Sequence, residues 1–406
     1  MGRKIRSKII LSVCSILFAF IVAEVTVRCL GYYDADGNFF FLSRKLKPYH
    51  LPVASVRGMI ERLSSSGRPG IYDPDLGWSS KPYGESKDGL YHFNSDGMRT
   101  ISCDFPVFKT HPADVLRIAL FGDSFTNGAD VSFTDTWGAC LENDLKQAGL
   151  HAEVLNFGVG GYGMDQAFLL WKKSGYQFSP DVVIFGFQPE NVKRNLNLIR
   201  ALYSVKTDIP FSKPRYILEG EVLKLINAPT LRPDALISTM EHMDSWDLVK
   251  YEHWYDPENY RHHLWLNSKL IAFILDYFDR SQAPAGYKES EYDFYSPDDE
   301  PARLALKIIR TFKNDVESKG AEFYAVYLPS SLDLKILSFD ERLPYARLLE
   351  KIEAFVPVIH PEKEMLAETA HSIFDPVHYS PTGNRIVARA IANFILQQQD
   401  ILRESQ

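Results

Sequence analysis

Leu116-Arg117-Ile118-Ala119-Leu120-Phe121-Gly122-Asp123-Ser124-Phe125-Thr126-Asn127-Gly128 is the stretch that decides the fold. Six residues, apolar except for Arg117, stop at Gly122-Asp123-Ser124, so a buried strand ends and a helix opens at the serine. The same grammar repeats downstream. A helix from about Thr134 carries Trp137, Leu141 and Leu145 on one face and stops at Gly149. Residues 153–157 read as a second strand and run into Gly158-Val159-Gly160-Gly161-Tyr162-Gly163. A helix over 164–176 then leads through Ser179-Pro180-Asp181 to a third strand, 182–187. Apolar strands alternating with helices imply a parallel sheet covered on both faces.

The alternation breaks over 196–301 and then resumes. Leu304, Ile308, Phe312 and Val316 mark a helix face, 322–328 a strand, 340–355 a helix, 356–359 a short strand and 381–398 a last helix. The expected fold class is α/β, a flavodoxin-like three-layer α/β/α architecture with a parallel sheet, an N-terminal transmembrane helix and a helical cap insertion. The expected divisions are 1–31 (signal anchor), 32–115 (irregular, short strands packed on the core), 116–195 (first part of the core), 196–301 (cap) and 302–406 (second part of the core).

Composition narrows the function classes. At 45% hydrophobic and 24% charged, the chain is globular in character. A net charge of −7 without a clustered basic face argues against a nucleic-acid partner. The one basic cluster, Arg3, Lys4, Arg6 and Lys8, precedes an apolar segment over residues 9–30. That length is near the ~20 residues needed to cross a bilayer. No Ala-x-Ala site precedes Glu24, so an uncleaved anchor is expected, with the basic end inside and the remainder extracytoplasmic. Arg6 at the sixth position breaks a myristoylation motif. Cys103 and Cys140 then fall where oxidation is permitted, which opens the way to a disulfide between them. No Cys-x-x-Cys pair is present, and the adjacent His262 and His263 point apart on a helix, so no metal site is expected.

A serine at a strand end needs a base, and the base needs an orienting group. Asp375-Pro376-Val377-His378-Tyr379-Ser380-Pro381-Thr382-Gly383 supplies both near the C-terminus. His378 would take the Ser124 proton as the hydroxyl attacks an ester carbonyl, and Asp375 would hold the imidazole in its useful tautomer. A Gly-x-Ser-x-Gly elbow is missing around Ser124, which argues against an α/β-hydrolase.

These segments resemble the SGNH hydrolases, also called the GDSL esterase/lipase family. Gly122-Asp123-Ser124-Phe125 resembles the nucleophile block, Asn156-Phe157-Gly158-Val159-Gly160-Gly161 the second block, Gly186-Phe187-Gln188-Pro189-Glu190-Asn191 the third and Asp375-x-x-His378 the last. Leu76-Gly77-Trp78 and Asn94-Ser95-Asp96-Gly97 also look like elements that precede the core in membrane-anchored members. The resemblance implies a triad of Ser124, His378 and Asp375. It also implies an oxyanion hole of the Ser124 and Gly161 N–H groups with the Asn191 amide. The third block departs from the family's Gly-x-Asn-Asp: Val192 follows Asn191, the spacing from Gly186 is longer, and Asn195 and Asn197 are rivals.

The function expected from this resemblance is a membrane-anchored serine esterase acting on acyl or acetyl esters of a carbohydrate or lipid, with no cofactor. Its partners would be that substrate and the membrane. An O-acyltransferase of cell-surface polysaccharide, or an inactive binding module on the same fold, would share these residues.

Overall fold

The computed structural model describes residues 2–63, 70–111, 113–204, 207–282 and 294–404. The strands that matter for the site are β1 (His92–Phe93), β2 (Arg99–Thr100), β3 (Leu116–Phe121), β4 (Ala152–Asn156), β5 (Val182–Phe187), β6 (Glu322–Tyr327) and β7 (Val358–Ile359). They form one sheet in the order β7-β6-β5-β3-β4-β2-β1. The five strands from β7 to β4 are mutually parallel, whereas β4–β2 and β2–β1 pair antiparallel. Numbered along the chain, the parallel strands run 2-1-3-4-5, the flavodoxin-like order.

Alternate residues of each strand feed two cores. Ala119, Phe121, Val183 and Phe185 face helices α4 (Met164–Lys173) and α5 (Glu300–Glu317). Ile118, Leu120, Val182 and Ile184 face α3 (Trp137–Gln147) and α6 (Pro381–Glu404). Trp137, Leu141 and Leu145 are fully buried, and Thr136 caps α3 by accepting the Ala139 N–H. Arg117, the polar intruder in the deciding stretch, is also fully buried. Its Nε meets Glu153 at 2.8 Å and its Nη1 donates to the Phe178 carbonyl.

Helix α1 (Gly2–Leu30) contains a 26-residue apolar stretch, Ile5–Leu30, long and apolar enough to cross a membrane. Its last turns are tied to the domain. Glu24 accepts from Ser268 Oγ and the backbone N–H groups of Lys269 and Leu270, which open the helix Lys269–Gln282. The Arg28 guanidinium donates to the Asn267 carbonyl, and Val27 packs with Phe39, Phe41, Leu46 and Leu266.

One reading of the sequence needs correction, and one open alternative is resolved. The segment 196–301 is not simply helical: Arg215–Glu219 and Val222–Ile226 form an antiparallel hairpin turned at Gly220, whose φ is +61°. All four cysteines are free thiols, with Cys103 directed at the Gly84 carbonyl and Cys140 at that of Thr134.

Candidate active site

The site is assembled at the carboxyl ends of β3, β4 and β5, where open parallel sheets gather ligands. Ser124 opens the short helix α2 (Ser124–Asn127). Asp123 is its N-cap: Oδ1 accepts the Phe125 N–H at 2.9 Å, and Oδ2 accepts from Arg194 Nη1 at 2.8 Å. Asp123 therefore braces the Ser124 loop, as a buried carboxylate with two donors should. Helix α2 ends at Gly128, whose φ of +74° lets the chain turn back.

His378 arrives on a C-terminal hairpin, β8 (Phe374–Asp375) with β9 (His378–Tyr379). Its ring sits edge-on to Phe125, 5.2 Å between centroids, and the neighbouring Tyr379 hydroxyl is anchored on the Pro329 carbonyl. The structure thereby brings Ser124 Oγ to 2.9 Å from His378 Nε2.

The expected acid is not the one in place. Asp375 lies across the hairpin from His378, but its carboxylate is exposed and makes no hydrogen bond among the described residues. His378 Nδ1 instead meets Asp130 Oδ2 at 2.6 Å. The physical reason is the direction of the ring. Turning Nε2 toward α2 turns Nδ1 toward the loop that follows α2, where Asp130 stands in the left-handed region at φ +68°. Buried Arg99, two residues past the Asn94-Ser95-Asp96-Gly97 element, shapes that loop by donating to the carbonyls of Asn127, Gly128 and Val131. The Tyr91 hydroxyl accepts the Asp130 N–H at 2.9 Å. Because a carboxylate only accepts, Nδ1 carries the proton and Nε2 is free to accept from the serine.

The second glycine segment is stitched to helix α2. Asn156 accepts the Gly158 N–H and donates to the Thr126 carbonyl, and Asn127 Nδ2 donates to the Gly158 carbonyl. A Cβ on Gly158 would stand 2.3 Å from the Asn127 nitrogen, so only glycine permits this approach. Gly161 has a φ of +79°. The Trp78 indole N–H donates to the Gly160 carbonyl and the Tyr162 hydroxyl to the Trp78 carbonyl. The upstream Leu76-Gly77-Trp78 element is thus a clamp on this loop.

Past β5, Asn191 opens the short helix Asn191–Arg194; it is buried, and its Oδ1 has no hydrogen-bond partner. A second amide, passed over in the sequence, lies at the end of β5. The parallel register ends with Phe185 opposite Phe121, and Gln188 follows directly on the end of β5. Gln188 also occupies the third position from Gly186, where Gly-x-Asn would place its amide. Its Oε1 accepts the Glu190 N–H at 2.6 Å, which leaves Nε2 as the donor end of the amide.

A cleft of about 530 Å³ opens beside Ser124, lined by Trp78, Ser80, Tyr91, Gly160 and Ile209 among others. Among the described residues no cluster of metal ligands occurs.

No protein-family model and no curated protein matches this chain. Solved structures do align with it. A lipase/acylhydrolase from Enterococcus faecalis is 13% identical over 70% of this chain and 96% of its own, with a TM-score of 0.36. A mutant of Axe2, an acetyl-xylooligosaccharide esterase from Geobacillus Stearmophilus, is 14% identical over 68% and 92%, with a TM-score of 0.36. The acetyl xylan esterase AlAXEase is 13% identical over 69% and 99%, with a TM-score of 0.34. This chain is similar to those structures along most of their length.

Proposed function

We propose that this protein is a serine esterase that cleaves acyl or acetyl esters of a carbohydrate or lipid through an acyl-enzyme on Ser124. The observation that carries the reading is the relay from Ser124 Oγ to His378 Nε2 and from His378 Nδ1 to Asp130. His378 removes the hydroxyl proton as Oγ attacks the ester carbonyl, then returns a proton to the leaving alcohol. Asp130 stabilises the imidazolium formed between these steps. A water attacks the acyl-enzyme in the second half, again through His378.

The tetrahedral oxyanion would be met by the N–H groups of Ser124 and Gly161 and by a side-chain amide from the end of β5. The spacing from Gly186 favours Gln188 over Asn191 for that amide. The apolar helix α1 supports a membrane anchor, with the catalytic domain on the extracytoplasmic side because the basic residues lie at the other end. The test is hydrolysis of p-nitrophenyl acetate by the full chain. Ser124→Ala should abolish turnover and leave the circular dichroism spectrum intact; unchanged turnover would reject the proposal.

A further inference from the structure

Arg200 is a buried cation that the relay does not use. It is 8% exposed, and its Nε and Nη1 have no hydrogen-bond partner. Its guanidinium carbon lies 5.2 Å from the centre of the Tyr203 ring. The nearest acids are engaged elsewhere: Asp123 with Arg194 and the Phe125 N–H, Glu190 with Arg194 and the Tyr203 hydroxyl. Burial, reinforced by the like charge of Arg194, pushes the Arg200 guanidinium down to about 10. Leaving a buried charge without a partner is costly, so such a group is expected to have one in the working complex.

The position of that partner follows from the glycine loop. A Cβ on Gly161 would stand 3.6 Å from both Cζ and Nη2 of Arg200, and 2.8 Å from Cδ1 of Ile209. Ile209 and Gly160 line the cleft beside Ser124. The guanidinium therefore packs on Gly161, one residue from cleft-lining Gly160. Its planar fork matches a carboxylate in a way an ammonium cannot.

We propose that Arg200 makes the Ser124 cleft selective for esters that carry a carboxylate close to the scissile bond. This inference rests on the esterase reading above. The carboxylate can belong to the acyl group or to the alcohol, and two pairs of substrates separate these sources. One pair is 4-nitrophenyl hydrogen glutarate and its methyl ester. The other is an O-acetylated methyl glucuronide as free acid and as methyl ester.

With the full-length protein in micelles, one acid should exceed its methyl ester in kcat/KM by about ten-fold or more, the range for a hydrogen bond to a charged group. Arg200→Met should bring that ratio close to one, and Arg200→Lys should retain part of it. Should Arg200→Met fail to fold, the wild-type ratios and Arg200→Lys decide. Equal preference for acid and ester in the wild type, or a preference that survives in both variants, would overturn the inference. So would equal losses on acid and ester in the variants, because the guanidinium would then serve the reaction's own oxyanion. No turnover of any of the four would remove the esterase reading and this inference with it, a result distinct from turnover without preference.

Discussion

Replacing Asp130 by Asn removes the charge that faces the imidazolium and keeps the shape. Asp130 Oδ2 lies 2.6 Å from His378 Nδ1, and the two side chains are 49% and 21% exposed. With charge centres about 4 Å apart, Coulomb's law gives about 4 kcal/mol at an effective dielectric constant of 20 and about 1 kcal/mol in water. Half-exposed Asp130 places the pair between these limits, so charge loss alone costs about 5- to 1000-fold in rate. Asn can also donate to Nδ1 and select the tautomer whose Nε2 carries the proton, which adds to the loss. Asp130→Asn should therefore lower kcat for p-nitrophenyl acetate by about 100-fold or more at pH 7.5. Asp375→Asn should remain within about three-fold of wild type, as expected for an exposed carboxylate outside the relay. The reverse pattern, with Asp375→Asn the crippled variant, would refute the assignment.

Three further outcomes follow from the same geometry. Gln188→Ala should lower kcat by about 100-fold or more, the usual loss for one oxyanion donor, with KM little changed; a larger loss in Asn191→Ala would return that role to Asn191. Arg99→Met would strip donors from the carbonyls of Asn127, Gly128 and Val131, costing about 3 kcal/mol in chemical denaturation and weakening turnover by displacing Asp130; full activity in a folded variant would contradict the link. Burial pushes the Glu252 carboxyl up to about 7 despite N–H donors from Leu198, Ile199 and Trp254. Between pH 4.5 and 7 the unfolded chain ionises this group while the folded one keeps its proton, so stability falls with rising pH by up to about 3 kcal/mol. Glu252→Gln should flatten that slope, and an unchanged slope in denaturant titrations at pH 5, 6 and 7 would refute it.

The central sheet was legible because its strands are continuous apolar runs, and buried parallel strands have no other pattern to show. Ser124 and His378 were legible because their neighbours mark a strand end and a helix start. Asp130 was not: nothing periodic singles it out, and its partner lies 248 residues away. Asp375 was the reasonable choice by proximity in sequence, and tertiary geometry overrode it. Gln188 was hidden by its residue type, since an amide one methylene longer stands where a shorter one was sought. Arg117 read as an interruption of a strand, and only the fold shows the carboxylate and carbonyl that accept its donors.

The central claim is that Ser124 is a nucleophile activated by His378. A fluorophosphonate probe, read by mass spectrometry of the intact chain and its peptides, tests this most directly. The account predicts a single stoichiometric adduct on the Ser124 peptide, lost in Ser124→Ala and slowed by orders of magnitude in His378→Ala. A well-folded protein that stays unlabelled, or one labelled equally fast without His378, would contradict it.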